Sequence, residues 1–265
     1  MGEHCGEPLR RERARPQKGE FTMYWNLKLS AIRRSSVLVL AFVLMTAALA
    51  TAQHAFAPPD AKPFGVSYAE WSAAWWQWVF SLPATHHPLL SSGLVDCSYG
   101  QLGHDPHSLP VWFLVGSLNS GATTRFCKIP SGTWLLVPVL NSWCDNVATL
   151  PPASMDQLKQ CAAYYGEASE LHASIDGMPV HGLPAYRADS APFGYTLPAT
   201  DNLVQYFGYN APGSDWPRTY VFPAAGDGYW LMLRPLSTGK HILNFGGTVK
   251  NTGFQIDITY YVAVP

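Results

Sequence analysis

One short segment concentrates much of the aromatic content of this chain. Between Ser67 and Pro83 lie four of the chain's ten tryptophans. Ser67 and Glu70 have the Ser-x-x-Glu spacing of a capping box, and Ser-Leu-Pro ends the segment, so the pattern predicts a short helix. At about 100° per residue, one narrow stripe of this helix collects five apolar side chains, namely Tyr68, Trp71, Trp75, Trp78 and Leu82.

Apolar surface extends beyond that stripe, because Trp76 and Phe80 point well away from it. A helix that is apolar over more than one face either packs between the layers of a core or offers part of its aromatic surface to a ligand. Tryptophan is usually buried, which favours the core. For the second alternative, the candidate ligand-binding residues are Trp71, Trp75, Trp76 and Trp78.

Residues 1–52 have the features of an export leader. The basic pair Arg33-Arg34 precedes the apolar run 35–50, and the small residues Ala50 and Ala52 supply a cleavage pattern. We therefore expect a signal peptide that is removed before Gln53. The sequence then predicts a single β-rich domain over residues 53–265 in a secreted or periplasmic protein.

Two alternatives remain for the leader. Met23 could be the true start, because the residues before it are polar and charged. The apolar run is also close to the minimum length for a membrane span, so an uncleaved segment could anchor the protein in a membrane.

Charge excludes one class of partner. The chain has 17 Lys and Arg residues and 18 Asp and Glu residues, and beyond the leader the acidic residues outnumber the basic ones. No cluster of Lys or Arg follows the leader, so we expect no binding to nucleic acid. Charged residues make up 13% of the chain and aromatic residues another 13%, a composition that indicates a folded protein.

Four cysteines remain after the leader, and an even number in an exported chain predicts two disulfides. Three connectivities are open, and we favour neighbours in sequence, because each bond then closes a loop between adjacent elements. The predicted pairs are Cys97 with Cys127 and Cys144 with Cys161. No Cys-x-x-Cys pair is present, which disfavours a structural zinc site.

Short apolar or alternating runs separated by Gly and Pro follow the tryptophan segment. They include 111–115, 124–129, 133–140, 228–233 and 254–264, and the last alternates with the period of two expected of a strand with one buried face. Ser154 and Gln157 form a second capping box before a helix that runs to about Leu171 and carries Cys161. The stretch 173–180 then resembles a hairpin with Asp176-Gly177 in its turn. The sequence therefore predicts a mainly β fold, an antiparallel β-sandwich or jelly roll with two helices and two disulfides.

Several motifs follow one another along the mature chain. They are Trp71-x-x-x-Trp-Trp-x-Trp78, Cys97-x-x-Gly100-Gln101, Val111-Trp-Phe-Leu114 and Cys127-x-x-Pro130-x-Gly132. Together they resemble a family of exported bacterial proteins, a domain of unknown function with a Trp-rich N-terminal helix. The resemblance implies export and a single domain, and it implies no activity.

The candidate catalytic residues are Glu70 and Asp145. Glycoside hydrolysis needs two carboxyl groups about 5–10 Å apart, one of them with a raised pKa. The aromatic surroundings of Glu70 could raise its pKa, and Asp145 is at the end of a predicted strand. Each residue also has a local alternative, since Glu70 completes the capping box and Asp145-Asn146 is typical of a turn.

The candidate metal ligands are His86, His87, His104 and His107, which lie in one turn-rich stretch. Imidazole binds copper and zinc, although histidines in a loop lack the fixed spacing of a helical zinc motif. If cleavage left His54 first, its amino group and imidazole could also chelate copper. Our expectation is no cofactor, with copper or zinc as the alternative.

These observations favour a non-catalytic binding module for a glycan or a cell-surface protein partner. The chain has no nucleophile elbow and no phosphate-binding glycine loop. The alternative is an extracellular enzyme that acts on a polysaccharide or another polymer, through carboxylates or a histidine-bound metal. A third hypothesis is structural assembly, in which the aromatic surface forms an interface between copies of the chain.

Overall fold

The computed structural model describes residues 55–101, 111–147, 151–208 and 220–265. The described residues all belong to one unit of the chain, Ala48–Pro265. The predicted signal peptide, its cleavage site, His104 and His107 lie outside the described residues. Among the residues that are described, no helix has the length and apolar character needed to cross a membrane.

The described chain is mainly β, as the sequence predicts. The helices are α1 (Tyr68–Ser81), α2 (Met155–Gly166) and the single turn α3 (Leu203–Tyr206). The strands are β1 (Gly93–Leu94), β2 (Val111–Phe113), β3 (Gly121–Lys128), β4 (Trp134–Asp145), β5 (Ala168–Ile175), β6 (Met178–Pro179), β7 (Arg187–Asp189), β8 (Phe193–Thr196), β9 (Tyr220–Leu233), β10 (Gly239–Val249) and β11 (Gln255–Val264). The two predicted helices are present, and α3 is an additional short one. Helix α2 ends at Gly166 and not near Leu171 as predicted, because β5 begins at Ala168 and pairs with β10.

The strands form two sheets. One has six strands in the order β1-β3-β11-β10-β5-β6, and the other has the order β2-β4-β9-β7, with β8 also paired to β9. Both sheets are mixed, because β1 with β3, β3 with β11 and β2 with β4 are parallel pairs. The predicted antiparallel pairing holds for the other strand pairs. The parallel partners β3 and β11 lie far apart in sequence, so no hairpin signal could indicate their pairing.

One apolar core joins α1 to both sheets. Strand β11 buries alternate residues, as its sequence predicts, whereas β9 is buried at every position from Ala224 to Leu233. Because successive side chains of a strand point to opposite faces, both faces of β9 are covered. Helix α1 covers part of β9, where the Trp75 and Trp230 ring centroids lie 5.4 Å apart. Helix α2 packs against β4 and β9.

Local sequence signals set the ends and turns of these elements. Ser67 and Glu70 form the predicted capping box of α1, and Ser154 forms the box of α2. Asp176 and Gly177 both have positive φ, 50° and 77°, which is the requirement of the predicted Asp-Gly hairpin turn between β5 and β6.

Both disulfides have the predicted pairing. Cys97 and Cys127 join the segment after β1 to β3, and Cys144 and Cys161 join β4 to α2. The bonds link residues 30 and 17 positions apart. In the chain-entropy model, loops of this size give roughly 3–4 kcal/mol of stabilisation each.

A close contact between α1 and β9 gives a test of this packing. A Cβ atom placed on Gly226 would lie 2.8 Å from Trp76 Nε1, below normal contact distance. We expect Gly226→Ala to lower the free energy of unfolding by about 1–3 kcal/mol, because the indole must move within a packed core. Chemical denaturation measures this difference. The matched control is Gly116→Ala, whose new methyl group meets only the flexible end of Ile256 at 3.3 Å. Equal stability of the two variants would contradict the packing.

Candidate functional site

The tryptophans of α1 belong to the core. The exposed fractions of Trp71, Trp75, Trp76 and Trp78 are 4%, 1%, 2% and 2%. Trp75 Nε1 donates to the Leu114 carbonyl at 2.7 Å, and Trp78 Nε1 donates to the Gly100 carbonyl at 2.9 Å. Stacking on a surface-bound glycan needs an accessible ring face, so this burial removes the basis for placing a glycan site on the four rings. The broad apolar surface of α1 packs in the core between layers of the fold.

The Cys-x-x-Gly-Gln motif has a structural explanation as well. Gly100 has a φ of 70°, and a Cβ there would lie 2.5 Å from the Leu82 side chain. Gln101 is buried and pairs with the backbone of Phe113 through both ends of its amide, at 2.8 Å and 2.9 Å. The motif therefore fixes the segment after β1 against α1 and β2.

The two candidate carboxylates are held apart by α1. Glu70 accepts hydrogen bonds from the backbone and hydroxyl of Ser67, and these bonds lower the pKa of Glu70. Asp145 accepts from Trp143 Nε1 at 2.9 Å and from the Tyr195 hydroxyl at 2.6 Å. The Tyr195 ring stacks on Phe80 near the other end of the helix. Phe80 is ten positions after Glu70 in the helix, a rise of about 15 Å.

Spacing in the sequence nominates no carboxylate pair, and Glu70 and Asp145 do not form one in the structure; their roles as single catalytic candidates stay predictions. A glycosidase pair requires a separation below about 10 Å and one carboxyl with a raised pKa. Glu70 is a helix cap with a lowered pKa, and Asp145 accepts hydrogen bonds that join β4 to β8. Each carboxylate makes the local hydrogen bonds that its sequence context also predicts, Glu70 in the capping box and Asp145 to the Val147 N–H.

The histidine hypothesis fails at His87, which is fully buried. The Leu89 N–H donates to its Nδ1 at 3.2 Å, so Nε2 carries the proton and donates to the Val79 carbonyl at 3.0 Å. Both ring nitrogens are occupied at the end of α1. His86 is exposed, with a φ of 64°. Within the described part of the chain, no group of three metal-binding side chains is present.

The outer face of the six-stranded sheet carries an unexpected feature. Four apolar side chains, one on each of β1, β3, β11 and β10, are direct cross-strand neighbours in the order Leu94, Phe126, Tyr261 and Ile242. Their exposed fractions are 89%, 44%, 42% and 43%. We name these four residues the outer row. Isolated apolar residues are normal on a surface, but a continuous row across four strands indicates a contact surface.

The centre of the outer row is an aromatic pair. The Phe126 and Tyr261 rings stack with centroids 4.9 Å apart and an angle of 11° between their planes. Lys128, Ala263 and Lys240 form the next row on one side, and Thr124, Thr259 and Asn244 form the next row on the other. The outer row lines a groove of about 1360 Å³. The face thus has an apolar centre and a polar border with two exposed lysines.

A Ser-His-Asp arrangement lies beside this groove. His241 Nδ1 is 2.8 Å from Asp176 Oδ2, and its Nε2 is 3.3 Å from Ser237 Oγ but only 2.9 Å from the Ser237 carbonyl oxygen. A carbonyl can only accept, so Nε2–H donates to it and Nδ1–H donates to the carboxylate. Burial of His241 disfavours its charge, but the bonds to Asp176 and Ser237 and the charge of Asp176 raise its pKa overall. A protonated imidazole cannot accept the Ser237 proton, so the arrangement joins the β5–β6 turn to β10 and is not a nucleophilic triad.

Sequence reasoning missed the outer row, although one local signal points to it. In β11 the buried residues Ile256, Ile258 and Tyr260 alternate, which requires Tyr261 to point outward. In β3 the alternation buries Arg125 and exposes Phe126. An aromatic residue at the outward position of two strands is the signal that could have been used.

No protein-family model and no curated protein sequence matches the chain. One solved structure, titled "Structure of PbICP-C in complex with falcipain-2", matches at 9% identity over 58% of this chain and 98% of that chain, with a TM-score of 0.24. A similarity this weak carries no argument about fold or function. The resemblance to exported bacterial proteins stays a prediction.

His87 gives a pH-dependent prediction. Burial lowers the pKa of His87, so between that lowered pKa and the usual value near 6.5 the unfolded chain binds more protons than the folded chain. The stabilising contribution of His87 is therefore complete above about pH 6.5 and is lost as the pH falls. We expect His87→Gln to flatten the acid side of the curve of unfolding free energy against pH, by up to about 1.4 kcal/mol per pH unit.

Denaturant unfolding between pH 5 and 8 measures this effect on each variant. The control is His181→Gln, since His181 is exposed. We expect the control to keep the acid-side slope of the wild type. A His87→Gln variant with the same slope as the wild type would contradict the neutral, buried imidazole.

Proposed function

We propose that this chain is an exported, non-catalytic binding protein that docks an extracellular protein partner through the outer face of its six-stranded sheet. The outer row carries the proposal. Two disulfides support a protein that folds in an oxidising compartment. The partner would present an apolar segment bordered by acidic side chains.

The composition of the face supports a protein partner. Protein interfaces combine an apolar, aromatic centre with a polar border, and the outer row with its neighbouring polar rows has this arrangement. Lys128 and Lys240 border the aromatic pair on one side, and both are exposed. They would lie opposite carboxylates of the partner. Such border charges increase the association rate and the specificity for that partner.

The side chains of this face are less suited to binding a glycan. Sugar rings stack on the open face of an aromatic ring, but Phe126 and Tyr261 stack on each other. The remaining members of the outer row, Leu94 and Ile242, are aliphatic and offer no hydrogen bond to a hydroxyl-rich ligand. An apolar protein segment can contact all four side chains.

The chemistry of the described residues supports binding more than catalysis. Glu70 and Asp145 lie near opposite ends of α1, and both nitrogens of His241 donate to fixed acceptors. Glu70, Asp145 and His241 therefore supply no free general base to the groove that the outer row lines.

Binding to intact cells of the species that encodes the chain tests the proposal. A fluorescent mature domain is compared with the double variant Phe126→Ser, Tyr261→Ser. We expect the double variant to bind at least about tenfold more weakly, because each central aromatic residue contributes more than about 1 kcal/mol to such interfaces. Protease treatment of the cells should abolish binding of the wild type, and periodate oxidation of their glycans should not.

A matched control uses another exposed aromatic pair. Tyr206 and Phe207 have exposed fractions of 59% and 39% and a ring distance of 5.6 Å, and they lie outside the six-stranded sheet. Tyr206→Ser, Phe207→Ser should bind like the wild type. Equal loss in both double variants, or unchanged binding of the Phe126 and Tyr261 variant, would overturn the proposal. Loss of binding after periodate alone would assign the face to a glycan instead.

A further inference from the structure

The edge of strand β3 is only partly paired. On one side β3 pairs with β11 from Gly121 to Lys128. On its other side β1 pairs only with Arg125 and Phe126. Among the described strands, none pairs with Gly121–Thr124 on that side. We name these four residues, about 13 Å of extended chain, the open edge.

The backbone of Ala122 points toward the open side of β3. Successive residues of a strand direct their N–H and C=O groups to alternate sides, and the Val95 N–H donates to the Phe126 carbonyl at 3.0 Å, so Phe126 is directed to the β1 side. Ala122 is four residues earlier and has the same direction, and it is exposed. Its N–H and C=O bond to none of the described residues on that side. The open edge therefore offers an accessible donor and an accessible acceptor.

A groove of about 430 Å³ lies along the open edge. Its lining combines Ala122, Thr123 and Thr124 of the edge with residues 89–93 and with Ser117, Asn119 and Ser120. None of the described lining residues carries a charge, and most have a hydroxyl group, an amide or a short side chain. A charged side chain placed here would lose hydration without compensation. The groove therefore favours an uncharged occupant.

The other sheet shows how this protein closes an edge. At β2, the side-chain amide of Gln101 donates to the Phe113 carbonyl and accepts from the Phe113 N–H. Proteins also protect edges with lysine, proline or a bulge. The open edge has the sequence Gly-Ala-Thr-Thr, and its register with β11 has no shift. Its four residues carry none of these protections, so the edge is available for pairing.

An extended polypeptide segment satisfies the groups of the open edge. Its backbone carries N–H and C=O groups at the spacing of a strand, so it can pair with both groups of Ala122. Phe126 lines this groove and also the groove of the outer row. A protein bound to the outer row therefore lies next to the open edge.

We propose that the protein partner adds an extended, uncharged segment to the open edge, as a further strand of the six-stranded sheet beside β3. The segment lies in line with β1, and its main chain exchanges hydrogen bonds with Ala122. Small or hydroxyl-bearing side chains of the segment suit the groove. This inference rests on the proposed function and adds the mode of recognition to it.

The cell-binding measurement with two variants of one residue tests the inference. Ala122→Pro removes the N–H at the open edge and leaves the pairing of β3 with β11, which does not use that N–H. We expect it to weaken binding of the fluorescent mature domain to the cells about tenfold, because a carbonyl of the partner loses its donor. The matched control Ala122→Val also enlarges the side chain but keeps the N–H, and it should bind like the wild type.

A second pair of variants leaves the strand itself unchanged. Ser92 is exposed and lines the groove, so Ser92→Lys places a charge there and should weaken cell binding by a similar factor. Thr200→Lys adds the same charge at an exposed position outside the six-stranded sheet and should bind like the wild type. Unfolding temperatures of the variants show whether each one keeps its fold. If Ala122→Pro is destabilised, the Ser92→Lys result decides.

The outcomes separate this inference from the proposed function. Weaker binding of Ala122→Pro and Ser92→Lys, with unchanged controls, supports pairing at the open edge. Unchanged binding of both, while the Phe126 and Tyr261 variant still loses binding, overturns the inference and leaves the proposed function standing. Absence of any binding by the wild type overturns both.

Two further results would also count against the inference. Equal loss in Ala122→Pro and Ala122→Val would show that the N–H is not the group that the partner uses. A wild-type dimer in analytical ultracentrifugation that Ala122→Pro dissociates would assign the open edge to a second copy of the chain instead.

Discussion

The packing of α1 against β9 joins the helix to the centre of the five-stranded sheet. Trp75 reaches the ring of Trp230 on one side and the Leu114 carbonyl on the other, so it joins the helix to the strand and to the segment after β2. Trp76 lies over Gly226, where only a residue without a side chain leaves room for the indole. Large aromatic rings on the helix and small residues on the strand together bring the two backbones close. The tryptophan segment is therefore a structural element that covers one sheet.

Coverage of one sheet leaves the other sheet with an open face. In β3 the inward position holds Arg125, which is almost fully buried and lies 5.4 Å from the centre of the Tyr260 ring. Its guanidinium donates to four backbone carbonyls, those of Pro88, Ser91, Val115 and Gly116. Buried charge is expensive unless it is hydrogen-bonded, and these carbonyls provide the compensation. Because Arg125 points inward, its neighbour Phe126 points outward and takes its place in the outer row.

Local signals in the sequence predicted local structure well. The capping boxes at Ser67 and Ser154, the Asp176-Gly177 turn and the pairing of neighbouring cysteines each depend on residues close together in the chain.

Functional residues were harder to predict, because local signals do not show which distant residues come together. Glu70 and Asp145 were candidates for catalysis, but each has a hydrogen-bonding role next to its own position. The outer row depends on the order of β1, β3, β11 and β10, and parallel pairing between distant strands leaves no local pattern. The local indications were Phe126, which follows the buried Arg125 in β3, and Tyr261, which follows the buried Tyr260 in β11.

The aromatic residues of α1 form a buried set, and Phe126 and Tyr261 form an exposed pair on the six-stranded sheet. Solvent paramagnetic relaxation enhancement, measured by NMR on the aromatic ring protons with a neutral gadolinium probe, tests this division directly. This division predicts weak enhancement for Trp71, Trp75, Trp76 and Trp78 and strong enhancement for Phe126 and Tyr261. Strong enhancement on the tryptophan rings with weak enhancement on Phe126 and Tyr261 would contradict it.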